Sequence, residues 1–170
     1  EQPTTPESSD ADKLRARQWF KKAADCRERR EYDYAIECFI TGLAYWPEAV
    51  EEGHMVLRSL AIQRQQVGGK KPGLMEGLKR SMTGKDAKQS LFNAEHLLSM
   101  DPQNGSYAEG VLKNAIKAGF LETTKWVAPI FFEGLKKDKK LNKSHFKVFR
   151  DALVEAAGQA EARGDSTTKT

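Results

Sequence analysis

The stretch ARQWFKKAADCRERREYDYAIECFITGLAYWP, residues 16–47, decides the fold. Its small and apolar residues recur every three to five positions on both sides of a charged break at residues 29–31, which is the periodicity of two amphipathic helices. Pro47 cannot continue a helix and therefore ends the second one. The stretch predicts two helices that pack against each other as an antiparallel pair. The residues expected to pack are Trp19, Ala23, Cys26, Tyr32, Ala35, Ile36, Phe39, Ile40 and Leu43.

Several of these residues also stand at the spacing of a known helical repeat. Counted from Ala16 as position 1, the positions 4, 8, 17, 20, 24, 27 and 32 hold Trp19, Ala23, Tyr32, Ala35, Phe39, Gly42 and Pro47. The pattern resembles the 34-residue tetratricopeptide repeat, in which small residues let two helices approach and aromatic residues fill the space around them. The resemblance implies an all-α fold, an α-α superhelix, built as a solenoid of antiparallel helix pairs with about seven to eight helices.

The rest of the chain follows this repeat length more loosely. After the clear repeat over 16–49, we expect an irregular segment over 50–70, and the long helix in this region, roughly 48–66, has no clear partner. Looser repeats are expected over 71–104, with helices at 73–82 and 86–99, and over 105–138, where Pro129 should kink or split the second helix. A capping helix is expected over 142–163.

The predicted domain covers residues 12–164. Residues 1–11 are expected to be a disordered lead-in, with Asp10 or Asp12 capping the first helix, and residues 165–170 a disordered tail. No run of eighteen apolar residues predicts a membrane-spanning helix. Because the chain begins in a polar run without a leader, we expect a fragment of a longer protein. The compartment stays open, with the cytoplasm favoured over secretion.

Residues with catalytic or metal-binding chemistry are sparse. His54, His96 and His145 lie far apart and lack ligand partners at helical spacing, so each is expected to be a partly exposed helix residue. The run at 68–71, Gly-Gly-Lys-Lys, lacks the leading glycine and the following Ser or Thr of a phosphate loop. We therefore predict no catalytic residue, no metal and no cofactor. The two cysteines, Cys26 and Cys38, are expected to be buried free thiols, with a disulfide as the alternative in an oxidising compartment.

The net charge of +4 is unevenly distributed. Residues 13–30 and 136–150 are basic, and residues 31–52 are acidic. These runs are either solvated helix faces or surfaces that attract an acidic partner. Nucleic acid is disfavoured because the neighbouring aromatic residues, among them Trp19 and Phe146, stand at core spacing. An anionic membrane surface along 136–147 is disfavoured as well.

The resemblance also implies a function. Tetratricopeptide solenoids bind peptides or protein segments in a concave groove lined by the first helix of each pair. Carried over by position, that groove is basic with apolar spots and suits an acidic or carboxylate-ended segment. The two-carboxylate clamp of chaperone-binding members is disfavoured, because Phe20 and Ala24 stand at its lysine and asparagine positions. The residues assigned to the groove are Arg17, Phe20, Arg27, Met75, Lys79, Lys113, Ile116 and Lys117.

The sequence thus predicts a protein-binding scaffold and not an enzyme. Two alternatives stay open. One is a structural or self-assembling solenoid that uses an apolar patch around Trp126, Ile130, Phe131 and Phe132, although the same residues also fit a core. The other is an accessory domain of a larger protein whose activity lies elsewhere in the parent chain.

Overall fold

The chain is described by a computed structural model over residues 7–137 and at residues 144, 147, 150, 151, 154, 155, 157, 158 and 161. Within these residues the structure consists of helices and turns and contains no strand, which confirms the predicted all-α class. A single turn of π-helix over Val50–His54 leads directly into the third helix. The α-helices are α1 (Asp10–Glu28), α2 (Tyr32–Tyr45), α3 (Met55–Gln66), α4 (Leu74–Lys79), α5 (Ala87–Met100), α6 (Gly105–Ala118) and α7 (Leu121–Lys137).

The predicted pair α1 and α2 is present, but α1 begins earlier than expected. The hydroxyl of Ser9 accepts a hydrogen bond from the amide of Asp12 at 3.1 Å, so Ser9 and not an aspartate is the N-cap. Asp10 and Ala11, assigned to the lead-in from sequence, are therefore the first residues of the helix. The helix can begin at Asp10 because the Ser9 side chain accepts from an amide of the first turn that has no acceptor within the helix.

A glycine sets the distance between α1 and α2. A Cβ atom added at Gly42 would lie 2.6 Å from Cε1 of Phe20 and 3.0 Å from the carbonyl oxygen of Ala16. Only a residue without a side chain fits there. The Phe20 and Phe39 rings then meet across the pair with centroids 5.8 Å apart. This close approach is what the small residues of the first repeat predicted.

The helix α3 lies beside α1 and runs in the same direction. Arg17, near the start of α1, bonds Glu52 of the π-turn at 2.8 Å, whereas Arg27, near its end, bonds Gln63 of α3 at 2.6 Å. The bonded residues are 35 and 36 positions apart in sequence. The pair α1–α2 is thus followed by a helix, α3, whose residues lie beside those of α1 that precede them by about one repeat length in the sequence.

The helices α5, α6 and α7 complete the frame. His54 of the π-turn contacts Glu95 of α5, and Arg64 near the end of α3 donates to the carbonyl of Met100, so α5 also runs in the direction of α3. A short turn, capped where Asn104 accepts from the Tyr107 amide, joins α5 to α6. Gly119, with a φ of 75°, ends α6 in the left-handed conformation that glycine adopts at little cost.

The second predicted helix pair is not observed. The helix expected over 73–82 covers only Leu74–Lys79, none of its residues is buried, and α5 packs against α6 instead. Residues 67–86 form a crossover between the parallel helices α3 and α5. Gly73 and Gly77 weaken helix formation here, and no neighbour covers the apolar side chains.

Two further expectations concern the long helices. The helix expected over residues 48–66 has neighbours after all, because α3 and its π-turn contact α1, α2 and α5. The helix α7 is not split at Pro129 but continues through it to Lys137. Its buried residues Val127, Ala128 and Phe131 hold this part of the helix against the core.

The C-terminal expectations can be compared with the structure only in part. The capping helix expected over 142–163 lies largely outside the described residues, and each residue described between Ser144 and Glu161 is helical. The tail over 165–170 lies outside them altogether. In the described part of the chain, no helix has the length and apolar character needed to span a membrane.

Candidate functional site

The groove residues that the sequence assigns to α1 face other parts of the protein. Phe20, expected to line the groove, is only 7% exposed and packs beside Gly42 and Gly53, so this assignment is wrong. The guanidinium of Arg17 bonds Glu52 and lies 5.1 Å from the centroid of the Trp46 ring. Arg27 donates to Gln63 and to Ser59 of α3. The neighbouring helix α3 therefore uses much of the hydrogen-bonding capacity of this surface.

The remaining groove residues lie on α4 and α6. Met75 and Lys79 are exposed on α4, which is not packed between α1 and α6 as a central helix of the groove would be. On α6, Lys113 forms an ion pair with Glu109 of the same helix, Ile116 is half-buried and Lys117 is exposed. Within the described residues, no hydrogen bond or ion pair joins these residues to Arg17 or Arg27, and their assignment to one groove stays a prediction.

A different concavity lies where α3, the start of α6 and α7 meet. It encloses about 270 Å³. Arg58 reaches it from α3, Asn104 and Ala108 line it from the start of α6, and Ile130 and Phe131 form its apolar side on α7. We call this concavity the Arg58 groove. It combines a mainly apolar floor with a cation at one side.

Arg58 differs from Arg17, Arg29 and Arg64 in having no counter-charge within the described residues. Arg17, Arg29 and Arg64 each contact a carboxylate. The hydrogen bond of Arg58 is to a neutral group, the Pro102 carbonyl, at 3.3 Å, and within the described residues no carboxylate lies at ion-pair distance from it.

The electrostatics of Arg58 favour an anion in the groove. Burial lowers its pKa, because a charged guanidinium loses hydration in the protein. The guanidinium of Arg58 is half-buried and carries five N–H donors. The Pro102 carbonyl accepts a hydrogen bond from one of its nitrogens, so donors remain for a ligand. A carboxylate that enters the groove would both neutralise the charge and accept these hydrogen bonds.

The other charges around the groove add to this potential. Lys137 lines it from the end of α7, and Asn104 and Gly105 line it at the N-terminal end of α6, where the helix dipole is positive. Glu133 also lines the groove, but it accepts a hydrogen bond from Lys136 at 3.3 Å. The positive groups therefore outnumber the negative one.

A second polar cluster is closed to solvent. His54, expected to be partly exposed, is completely buried, because the π-turn faces both α5 and α7. Its Nδ1 lies 2.6 Å from a carboxylate oxygen of Glu95 and its Nε2 lies 2.6 Å from the Pro47 carbonyl. Thr123 donates to the same carbonyl at 3.0 Å, and the Trp126 ring stacks on the imidazole with centroids 5.0 Å apart.

This cluster joins the π-turn, α5 and α7. The Pro47 carbonyl can only accept, so Nε2 carries a hydrogen, while Nδ1 faces a carboxylate oxygen of Glu95. Burial lowers the pKa of His54, but the charge and the hydrogen bond of Glu95 act in the opposite direction and raise it overall. Because the histidine is 0% exposed and the glutamate 2%, a substrate cannot reach the pair, and we assign it a structural role.

The remaining histidines and the two cysteines were the other residues with metal-binding or redox chemistry. His96 is 7% exposed, and neither ring nitrogen has a hydrogen-bond partner, which again differs from the expected partly exposed residue. His145 lies outside the described residues. Cys26 and Cys38 are buried free thiols, as predicted. Within residues 7–137 and the described positions beyond them, no group of three or more potential ligands could hold a metal ion.

The apolar patch considered for self-assembly is partly core. Phe131 is 1% exposed and Trp126 stacks on His54, while Ile130 lines the Arg58 groove. No sequence pattern predicts this groove, because its residues come from three segments far apart in the chain. The one indication in the sequence was the long helix at 48–66, because the repeat pattern did not assign it any packing partner.

The fold and the groove define an all-helical protein with a small, positively charged concavity. No protein-family model, no curated protein and no solved structure matches the chain.

Proposed function

We propose that the chain is a non-catalytic binding module of the tetratricopeptide type that holds an acidic segment of another protein, with the Arg58 groove as the anchoring site. One observation carries the proposal: Arg58 is half-buried beside an apolar floor and has no carboxylate partner in the described residues. A charge kept in such a place without a partner is costly, and an anionic ligand would offset that cost.

The size of the groove indicates which part of a partner enters it. A volume of about 270 Å³ lies just below that of pockets for complete small ligands, so it suits one or two side chains of a longer segment. We infer that an aspartate or glutamate bonds Arg58 while an adjacent apolar side chain packs on Ile130 and Ala108. The remainder of the segment would lie outside the groove.

The packing of α1 on α3 supports the repeat assignment. Four hydrogen bonds between three residue pairs join α1 to α3 and its π-turn, and the paired residues are 32, 35 and 36 positions apart. In a solenoid of 34-residue repeats, equivalent helices of successive repeats are parallel and adjacent. The first two such helices of this chain have that relation.

Selection from a random peptide library tests the proposal. Peptides selected on the immobilised protein should contain Asp or Glu next to a large apolar residue. Their affinity for Arg58→Met should fall by about tenfold or more, because a charge-assisted hydrogen bond contributes roughly 1.5–3 kcal/mol.

The control is Lys117→Met, which removes an exposed cation from α6 outside the groove lining. It should leave the affinity nearly unchanged. Selected peptides without acidic residues, or an equal affinity for wild type and Arg58→Met, would refute the proposed site.

A further inference from the structure

The helix α4 displays apolar side chains that no part of the described structure covers. Leu74 is 81% exposed, Met75 is 64% exposed and Leu78 is 69% exposed. At positions i, i+1 and i+4 of a helix, these side chains share one face. Exposed single apolar residues occur elsewhere and are ordinary, but three neighbours at this exposure form a continuous apolar face.

Exposed cations lie on α4 and in the segment directly before it. Lys70, Lys71 and Lys79 are exposed on or next to α4. The acidic residue of the helix, Glu76, accepts a hydrogen bond from Arg80 at 3.3 Å, so its charge is balanced locally. Lys71 also approaches Asp101, at 3.9 Å. The lysines therefore give the α4 face a positive border.

The crossover that carries α4 is fixed at both ends. Before the helix, Arg64 donates to the Lys70 carbonyl at 2.8 Å. After it, Asn93 donates to the Ser81 carbonyl at 2.9 Å and Asn114 donates to the Met82 carbonyl, also at 2.9 Å. The side chain of Met82 lies against Gly110 of α6. These contacts anchor the crossover to α3, α5 and α6, so that α4 is displayed on the frame and not buried in it.

We propose that α4 binds anionic lipid membranes, inserting Leu74, Met75 and Leu78 among the acyl chains while the three lysines contact the acidic headgroups. The face lies on a helix that no described neighbour covers, so a protein partner would need an apolar surface of matching shape with an acidic border. A bilayer supplies apolar depth beneath a negative surface without any matching shape. This site is separate from the Arg58 groove and does not depend on it.

Co-sedimentation with lipid vesicles tests this binding. The intact chain should pellet with vesicles of phosphatidylcholine and phosphatidylserine, and much less with phosphatidylcholine alone. Two changes should each lower the partition coefficient about tenfold: Leu74→Ser/Leu78→Ser, which removes the apolar contact, and Lys70→Glu/Lys71→Glu, which reverses the charge. Since none of these residues is buried, the variants should keep the thermal unfolding midpoint of the wild type.

Matched controls make the test specific to α4. Leu14→Ser changes an apolar residue of α1 that is 58% exposed, and Lys21→Glu reverses an exposed charge on the same helix. Both should leave most vesicle binding intact. The proposal is overturned if the wild type does not distinguish the two lipid compositions or if the controls reduce binding as much as the α4 variants. It is equally overturned if the α4 variants lose a purified protein ligand while vesicle binding is unchanged. Loss of peptide binding by Arg58→Met would leave this result unaffected.

Discussion

At the scale of single residues, the buried pair of His54 and Glu95 should contribute most to stability. Replacing Glu95 with glutamine keeps the shape of the side chain but leaves a buried imidazolium without its counter-charge. Breaking such a pair from one side costs about 3–5 kcal/mol. We expect Glu95→Gln to lower the free energy of unfolding by about that amount, measured by urea denaturation.

The control for this prediction is an exposed ion pair. Glu52→Gln breaks the bond to Arg17, whose partners both remain accessible to water. Because solvent screens such pairs, the loss should be much smaller than for Glu95→Gln. Equal losses for the two variants would show that the buried pair is not the stabilising contact we describe.

His96 should make stability depend on acid pH. Its burial, with further contributions from Arg80 and Arg64, lowers its pKa to about 4. In the unfolded chain the same histidine titrates near its ordinary value of about 6.5. As the pH falls from 6.5 to 4 the unfolded state takes up a proton that the folded state does not, so stability falls by about 3 kcal/mol at this site.

The variant His96→Leu isolates this effect. It removes two ring nitrogens without hydrogen-bond partners, so stability at pH 7 should change little or increase. The difference between wild type and variant in the free energy of unfolding should vary between pH 6.5 and 4. A constant difference over this range would contradict the lowered pKa.

His54 acts in the opposite pH direction. Its pKa is raised in the folded state, so its stabilising contribution is complete below about pH 6.5 and is lost as the pH rises through the folded-state value. The two buried histidines together therefore favour the folded state most near the ordinary pKa of histidine.

At the scale of helices, the approach of α1 to α2 depends on Gly42. The variant Gly42→Ala places a Cβ 2.6 Å from the Phe20 ring, and the ring or the helix must move. Overpacking of this kind costs about 1–3 kcal/mol. Gly134→Ala is the matched control, since no atom of the described residues lies within 4 Å of a Cβ added there on α7, and alanine favours helix by about 1 kcal/mol.

Thermal unfolding of both variants tests this prediction. The midpoint should fall for Gly42→Ala and rise slightly for Gly134→Ala. A rise for both would show that α1 and α2 can separate without loss, and that the packing of the first repeat is looser than described.

The same helix pair shows how far sequence reasoning reaches. The α1–α2 pair was predictable because adjacent segments share one regular apolar pattern and a short turn joins them. The pairing of α5 with α6 was not predictable, because Leu74 and Leu78 of α4 fit the apolar pattern of a packed helix equally well. Whether an apolar face is covered depends on helices far away in the chain, which periodicity does not report. The Arg58 groove escaped prediction for the same reason.

At the scale of the whole molecule, one proposed surface lies on the packed helices and the other lies on the crossover between α3 and α5. The Arg58 groove lies where α3, α6 and α7 meet, and its shape requires all three. The α4 face lies on the crossover that interrupts the repeat and takes little part in the packing. A module of this kind could hold a protein segment in its groove while α4 contacts a membrane.

The most direct measurement is the affinity of an acidic peptide, selected on the wild type, for two variants. One is Arg58→Met, and the other is Lys79→Glu/Lys113→Glu, which reverses charges in the groove expected from sequence. We predict a loss of about tenfold or more for Arg58→Met and a smaller, salt-dependent loss for the double variant. A large loss for the double variant, together with unchanged affinity for Arg58→Met, would refute the Arg58 groove as the binding site and move that site to the surface carrying Lys79 and Lys113.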